Sequence, residues 1–174
     1  MKERPILFSG PMVRAILESR KTQTRRVVRN PARLDGLMLS GEESAWCPYG
    51  QPGDRLWVRE TTWRNGGYVA TDKSNIAHEG KCPSIFMPRW VSRINLKLTD
   101  VRVERLQDIS KADAIAEGIQ GDGIMYYDYS PEGTGLPTQT PRSSYCGLWD
   151  SINGKRFPWA SNPWVWVLTF RRIR

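Results

Sequence analysis

The sequence predicts an α+β fold, a small mixed β-barrel with helices packed against its ends. Segments of alternating hydrophobicity recur at 55–63, 93–106 and 164–173, and two short amphipathic stretches, 11–20 and 110–118, carry helical spacing instead. No linker, internal repeat or low-complexity tract separates two candidate cores, and 174 residues suit one domain. One domain over 1–174 follows, with loop insertions near 30–46, 64–84 and 120–144.

The first helix, of about three turns, starts at Gly10 and Pro11, where proline's missing donor costs nothing. Met12, Val13, Ile16 and Leu17 give it one apolar face, and Arg20 and Lys21 complement its C-terminal dipole. A strand over Thr22–Val28 comes next, then a polar surface excursion over 30–50. Pro52, Gly53 and Asp54 turn the chain into RLWVRETTW, in which Leu56 and Val58 alternate with Trp57 and Arg59. Residues 64–87 are irregular apart from a short strand near Tyr68–Ala70. In RINLKLTDVRVERL, Ile94, Leu96 and Leu98 share a phase that Val101 and Val103 abandon, which calls for a bulge near Thr99 and Asp100.

Ser110 and Asp113 then open a second helix in the manner of a capping box. Ala112, Ile115 and Ala116 are its expected apolar face, Glu117 its last side chain and Gly118 its terminator. A long polar loop over 120–144 leads to a short helix at LWDSIN. The closing strand WVWVLTFRRI is apolar in both phases and should be covered on both sides.

The chain carries 26 Lys and Arg against 18 Asp and Glu, a net charge of +8, which favours a polyanionic partner. No apolar run approaches the roughly 18 residues of a membrane span. The start, MKERPILFSGP, has no signal-peptide core, so the expected location is the cytoplasm, with no membrane partner. The three cysteines, Cys47, Cys82 and Cys146, fit a reducing compartment. With His78 they form a zinc set on paper, but no CxxC or HxxxH pair is present, and the expectation is no metal and no cofactor.

The segment ESRKTQTRR, residues 18–26, concentrates the chemistry. If 22–28 is extended, Thr22, Thr24 and Arg26 face one way and Gln23 and Arg25 the other, with Lys21 on the corner reaching the first face. A hydroxyl beside an amine and a guanidinium suits a lysine-activated nucleophile with an anion stabiliser; basic residues after a helix equally suit plain phosphate contact. Trp57, Arg59, Glu60, Arg89 and Trp90 form a second group, whose interleaved aromatics and arginines suit base stacking and phosphate contact.

RKTQTRR after an amphipathic helix resembles the GxKxxExR signature of the ASCH domain, a relative of the PUA fold. Here Ser19 stands at the glycine position and Thr24 where Glu is frequent. PGDRLWVRE and VERLQDISKADAIAEGI resemble the second half of that domain, and CPYGQPGDRLWVRET, MPRWVSRI and LWDSINGK resemble its bacteriophage and prophage branch. The resemblance implies a PUA-like barrel that holds RNA or single-stranded nucleic acid, or a modified nucleotide, in a cationic cleft. Arg20, Arg25, Arg26, Trp57, Arg59 and Arg89 are then the candidate ligand contacts.

Some ASCH proteins hydrolyse N4-acetylcytidine with a catalytic Lys and Thr in a KTxTxR stretch and a Glu near the end of the helix after the central strands. The resemblance carries those roles to Lys21, Thr24 and Glu117, followed by Arg26. The alternative function is therefore an amidohydrolase of N4-acetylcytidine-type nucleosides, in which Lys21 takes the proton of Thr24 and Glu117 orients water or protonates the leaving amine. Nuclease activity is a weaker variant, lacking a carboxylate cluster for metal.

Overall fold

The computed structural model describes residues 1–31, 47–64, 67–71, 80–129 and 137–173. Most of the expected loop over 30–46 and about half of that over 64–84 fall outside these, as does His78. Five strands form one mixed sheet: β1 (Glu3–Leu7), β2 (Gln23–Val27), β3 (Arg55–Arg59), β6 (Asn95–Arg105) and β7 (Trp164–Ile173), in the order β1-β3-β6-β7-β2. β1 lies parallel to β3, and the other pairs are antiparallel. Two short strands, β4 (Thr62–Trp63) and β5 (Lys81–Cys82), pair beside the sheet.

The long strands β6 and β7 form its middle, and a register shift between Leu98 and Asp100 lets β6 change phase where the sequence does. On one face, Leu56, Val58, Leu96, Leu98, Leu168 and Phe170 pack with Ile6, Phe8 and Val13 and Ile16 of α1 (Gly10–Leu17). On the other, Val165 and Val167 of β7 meet Leu106, Ala114, Tyr145 and Trp149. The opposed clusters explain why β7 is apolar in both phases.

The sheet curls without closing. β1 and β2 are its edges, and no ladder joins them among the described residues. The guanidinium of Arg26 crosses the seam instead, donating from Nη2 to the Leu7 carbonyl at 2.7 Å. The barrel expected from the sequence is thus a curled open sheet, bridged by one side chain.

Helix α2 (Lys111–Ala116) is capped by Ser110, whose hydroxyl accepts from the Asp113 N–H at 3.0 Å. Its buried residue is Ala114, whereas Ile115, expected inside, is 45% exposed. The short LWDSIN helix is the last part of a longer one, α3 (Pro141–Asn153), so the loop expected over 120–144 ends at Thr140, which caps α3 by accepting from the Ser143 N–H. Similarly, the strand expected over 22–28 is trimmed to 23–27, and helix α1 stops before Ser19, which takes a left-handed φ of 61°. No described helix is long and apolar enough to cross a membrane.

Candidate functional site

Strand register sets the site. Arg25 of β2 and Arg102 of β6 both pair with Val167 of β7, so the two arginines flank that valine on the face that α2 and α3 cover. Cations placed under helices need counter-charges. Glu104 of β6 accepts from Nε and Nη2 of Arg25, and Asp113 of α2 accepts from both Arg25 and Arg102, at 3.2 and 3.1 Å. Burial opposes the charge of Arg25, yet the Glu117 and Glu104 carboxylates hold its pKa above the usual arginine value. Asp113 is also partly buried, but Arg25 and Arg102 outweigh that and hold its carboxyl below the ordinary range.

Glu117, at the C-terminus of α2, stands at the centre of this network. Its Oε2 accepts from Lys21 Nζ at 2.6 Å, and its own backbone carbonyl accepts from the same amine at 2.8 Å. Its Oε1 accepts from Arg25 Nη1 at 3.4 Å and from the Tyr145 hydroxyl of α3 at 3.3 Å. The side chains of Lys21 and Glu117 are 0% and 3% exposed. Burial depresses the Lys21 pKa, and Arg26 and Arg25 add to the effect, while Glu117 opposes it. Burial and the neighbouring Glu117 carboxylate push the Tyr145 phenol well above its usual value.

Lys21 is held there by a tight corner. The Lys21 and Arg20 N–H groups both donate to the Ala15 carbonyl, and the Thr22 N–H donates to the Ala116 carbonyl, tying the start of β2 to the end of α2. Gly118 makes the approach possible: its φ is +88°, and a Cβ there would lie 2.8 Å from Lys21 Cβ. Thr24 is 2% exposed and pairs with Leu168, on the sheet face opposite Arg25.

The structure therefore brings Lys21 and Arg25 each onto Glu117, with Tyr145 as a fourth member that the sequence does not single out. Tyr145 lies 28 residues from Glu117 in a stretch that reads as polar loop, and no local signal marks it. Arg25, expected among the ligand contacts, is instead saturated by Glu104, Asp113 and Glu117. Arg20 is likewise engaged, by the Glu18 carboxylate and the Gly118 carbonyl.

Beside this network, between β2 and the end of α3, opens a cleft of about 470 Å³. Arg25, Arg26, Arg29, Lys155 and Arg156 line it together with Tyr49 and Phe157. Arg29, Lys155 and Arg156 form no ion pair among the described residues. Arg26 lies over the Phe8 ring at 5.2 Å, and its buried Nε has no hydrogen-bond partner among the described residues. Five cations converge here, and among the described residues Arg25 alone of the five forms an ion pair.

Trp57, Arg59 and Arg89 meet on the outer side of β3. Both guanidiniums stack on the indole, at 4.8 and 5.8 Å from the ring centre, and leave Trp57 only 8% exposed. Trp57, expected to offer its face to a base, offers it to two arginines. Arg89 also pairs with Glu3, while Glu60 pairs with Arg93. Cys47, Cys82 and Cys146 are free thiols, burial pushing Cys47 up to about 11. No described group of three or more His, Cys, Asp or Glu side chains is placed to hold a metal ion.

No family model matches the chain, and no curated protein matches it. Two solved structures are similar to it. One is the ASCH domain from Lactobacillus crispatus JV V101, at TM-score 0.49 and 11% identity, over 98% of this chain and 79% of that one. The other is protein EF3133 from Enterococcus faecalis V583, at TM-score 0.47 and 10% identity, over 99% of this chain and 77% of that one.

Proposed function

We propose that the chain is an ASCH-type domain that binds RNA or single-stranded nucleic acid, with the phosphates in the cleft between β2 and α3. The observation that carries this reading is the convergence of Arg26, Arg29, Lys155 and Arg156 on one cavity that also presents Tyr49 and Phe157. Cations without protein counter-charges attract phosphates, and rings beside them suit stacking by any base. Anisotropy of a labelled single-stranded oligonucleotide tests it. Log affinity should fall linearly with log salt, and Lys155→Ala or Arg156→Ala should each reduce the slope by about 0.7. Affinity indifferent to salt, or slopes unchanged in both variants, would sink the proposal.

A second reading is favoured by the buried Lys21–Glu117 contact. An amine with a depressed pKa, a carboxylate at 2.6 Å and the hydroxyl of a threonine only 2% exposed on the adjoining strand are the groups needed to hydrolyse an N4-acylated cytidine to cytidine and a carboxylic acid. Lys21 must first give up its proton, and Glu117 is placed to receive it. Thr24 then attacks the amide carbonyl as its own proton passes to Lys21; the C–N bond breaks as cytidine leaves with the proton that Glu117 received, and water hydrolyses the acyl-threonine to release the carboxylic acid. Chromatography of N4-acetylcytidine incubated with wild type, Lys21→Ala and Thr24→Ala decides it. Cytidine release by wild type alone supports this route, and none after hours at high enzyme concentration removes it.

A further inference from the structure

The segment between β5 and β6 exposes an unusual set of side chains. Ile85, Phe86 and Trp90 are 58%, 71% and 85% exposed, on two short 3-10 turns around Met87 and Pro88. Met87 is 1% exposed and accepts the Glu60 N–H on its sulfur, so the segment is anchored while its rings stand out. Arg59 donates to the Ile85 carbonyl at 3.1 Å, and Arg89 lies between the two rings in sequence. Rigid exposed rings flanked by guanidiniums fit bases and phosphates better than they fit water.

The ledge is also continuous with the cleft. Arg26, which lines the cleft, bonds the Leu7 carbonyl; Leu7, 44% exposed, pairs with Arg59 in the β1–β3 ladder; Arg59 bonds Ile85. These contacts link the cleft to the ledge through Arg26, Leu7 and Arg59. A second copy of the chain is the poorer occupant, since it would set Arg59 and Arg89 against their own equivalents.

We propose that Phe86 and Trp90 form a base-stacking ledge that engages single-stranded nucleic acid emerging from the cationic cleft. This rests on the nucleic-acid reading and extends it, making affinity depend on strand length. Anisotropy with an oligouridylate of about twelve nucleotides, alongside competition by uridine monophosphate, tests it. Phe86→Ala and Trp90→Ala should each weaken the oligomer by about fivefold or more while leaving competition by the monophosphate and the salt slope unchanged. Both residues are exposed, so melting temperatures should match wild type. If wild type binds the oligomer, Lys155→Ala weakens it and the ledge variants bind as wild type, the ledge is wrong and the cleft stands. If wild type binds no oligomer at low salt, the nucleic-acid reading fails and the ledge with it. Self-association that Trp90→Ala abolishes would assign the rings to a second copy and overturn the proposal.

Discussion

At the scale of single residues, Lys21 and Glu117 form a buried ion pair. Neither reaches water, and each is the other's main counter-charge. Removing one partner of such a pair strands a buried charge, at a cost of about 3–5 kcal/mol, whereas removing both does not. Urea titration should show Lys21→Met and Glu117→Gln each strongly destabilised, and the double variant less destabilised than the two losses combined. Simple additivity would mean that the contact carries no coupling. Gly118 supports the same corner. Alanine there must adopt a φ of +88° and place its Cβ 2.8 Å from Lys21 Cβ and 3.1 Å from Ala15 Cβ. Gly118→Ala should therefore cost more than about 1 kcal/mol, measurable as a lower urea midpoint.

At the scale of elements, helix caps are the clearest link from sequence to structure. Ser110 and Thr140 each accept one of the backbone N–H groups that a helix start leaves free. Ser110→Ala and Thr140→Ala should each lower stability by about 1 kcal/mol, and glycine at the same positions by less. Only the Ser110 cap was legible in advance. Helix α1, the three long strands and the bulge at Leu98/Asp100 were legible too, because alternation and helical spacing are local patterns. The sequence shows only the end of helix α3, because its buried face includes Ser144 and Gly147 beside Tyr145 and Trp149 and its first two turns lack an apolar stripe. The charge network was hidden for a different reason. Arg25 meets Glu104, Asp113 and Glu117 across 79, 88 and 92 residues, and only the register through Val167 brings them together. The family resemblance pointed to Lys21 and Glu117, but no pattern in the sequence pointed to Tyr145, nor to the burial of Trp57 under two arginines.

At the scale of the molecule, its carboxylates hold distant parts of the chain together. Asp113 joins α2 to β2 and β6 through Arg25 and Arg102, and those cations hold its carboxyl below the ordinary value despite partial burial. Asp54 joins the turn before β3 to the start of the chain, held low by the Lys2 backbone N–H and also by the Gln51 N–H and Arg4. A carboxyl whose pKa is lowered on folding contributes stability above its unfolded value, and that contribution is lost as pH falls through the folded value. Urea midpoints should accordingly be nearly level from neutral pH down to about 5 and drop below about 4, where a chain already at +8 also gains positive charge. Asp113→Asn isolates the local part of this effect. The variant lacks the ionised carboxylate at every pH, so it should be less stable than wild type at neutral pH, and the gap should narrow as acid protonates Asp113 in the wild type. A gap of constant size from neutral pH to about 2 would show that the Arg25–Asp113–Arg102 contacts contribute through shape rather than charge.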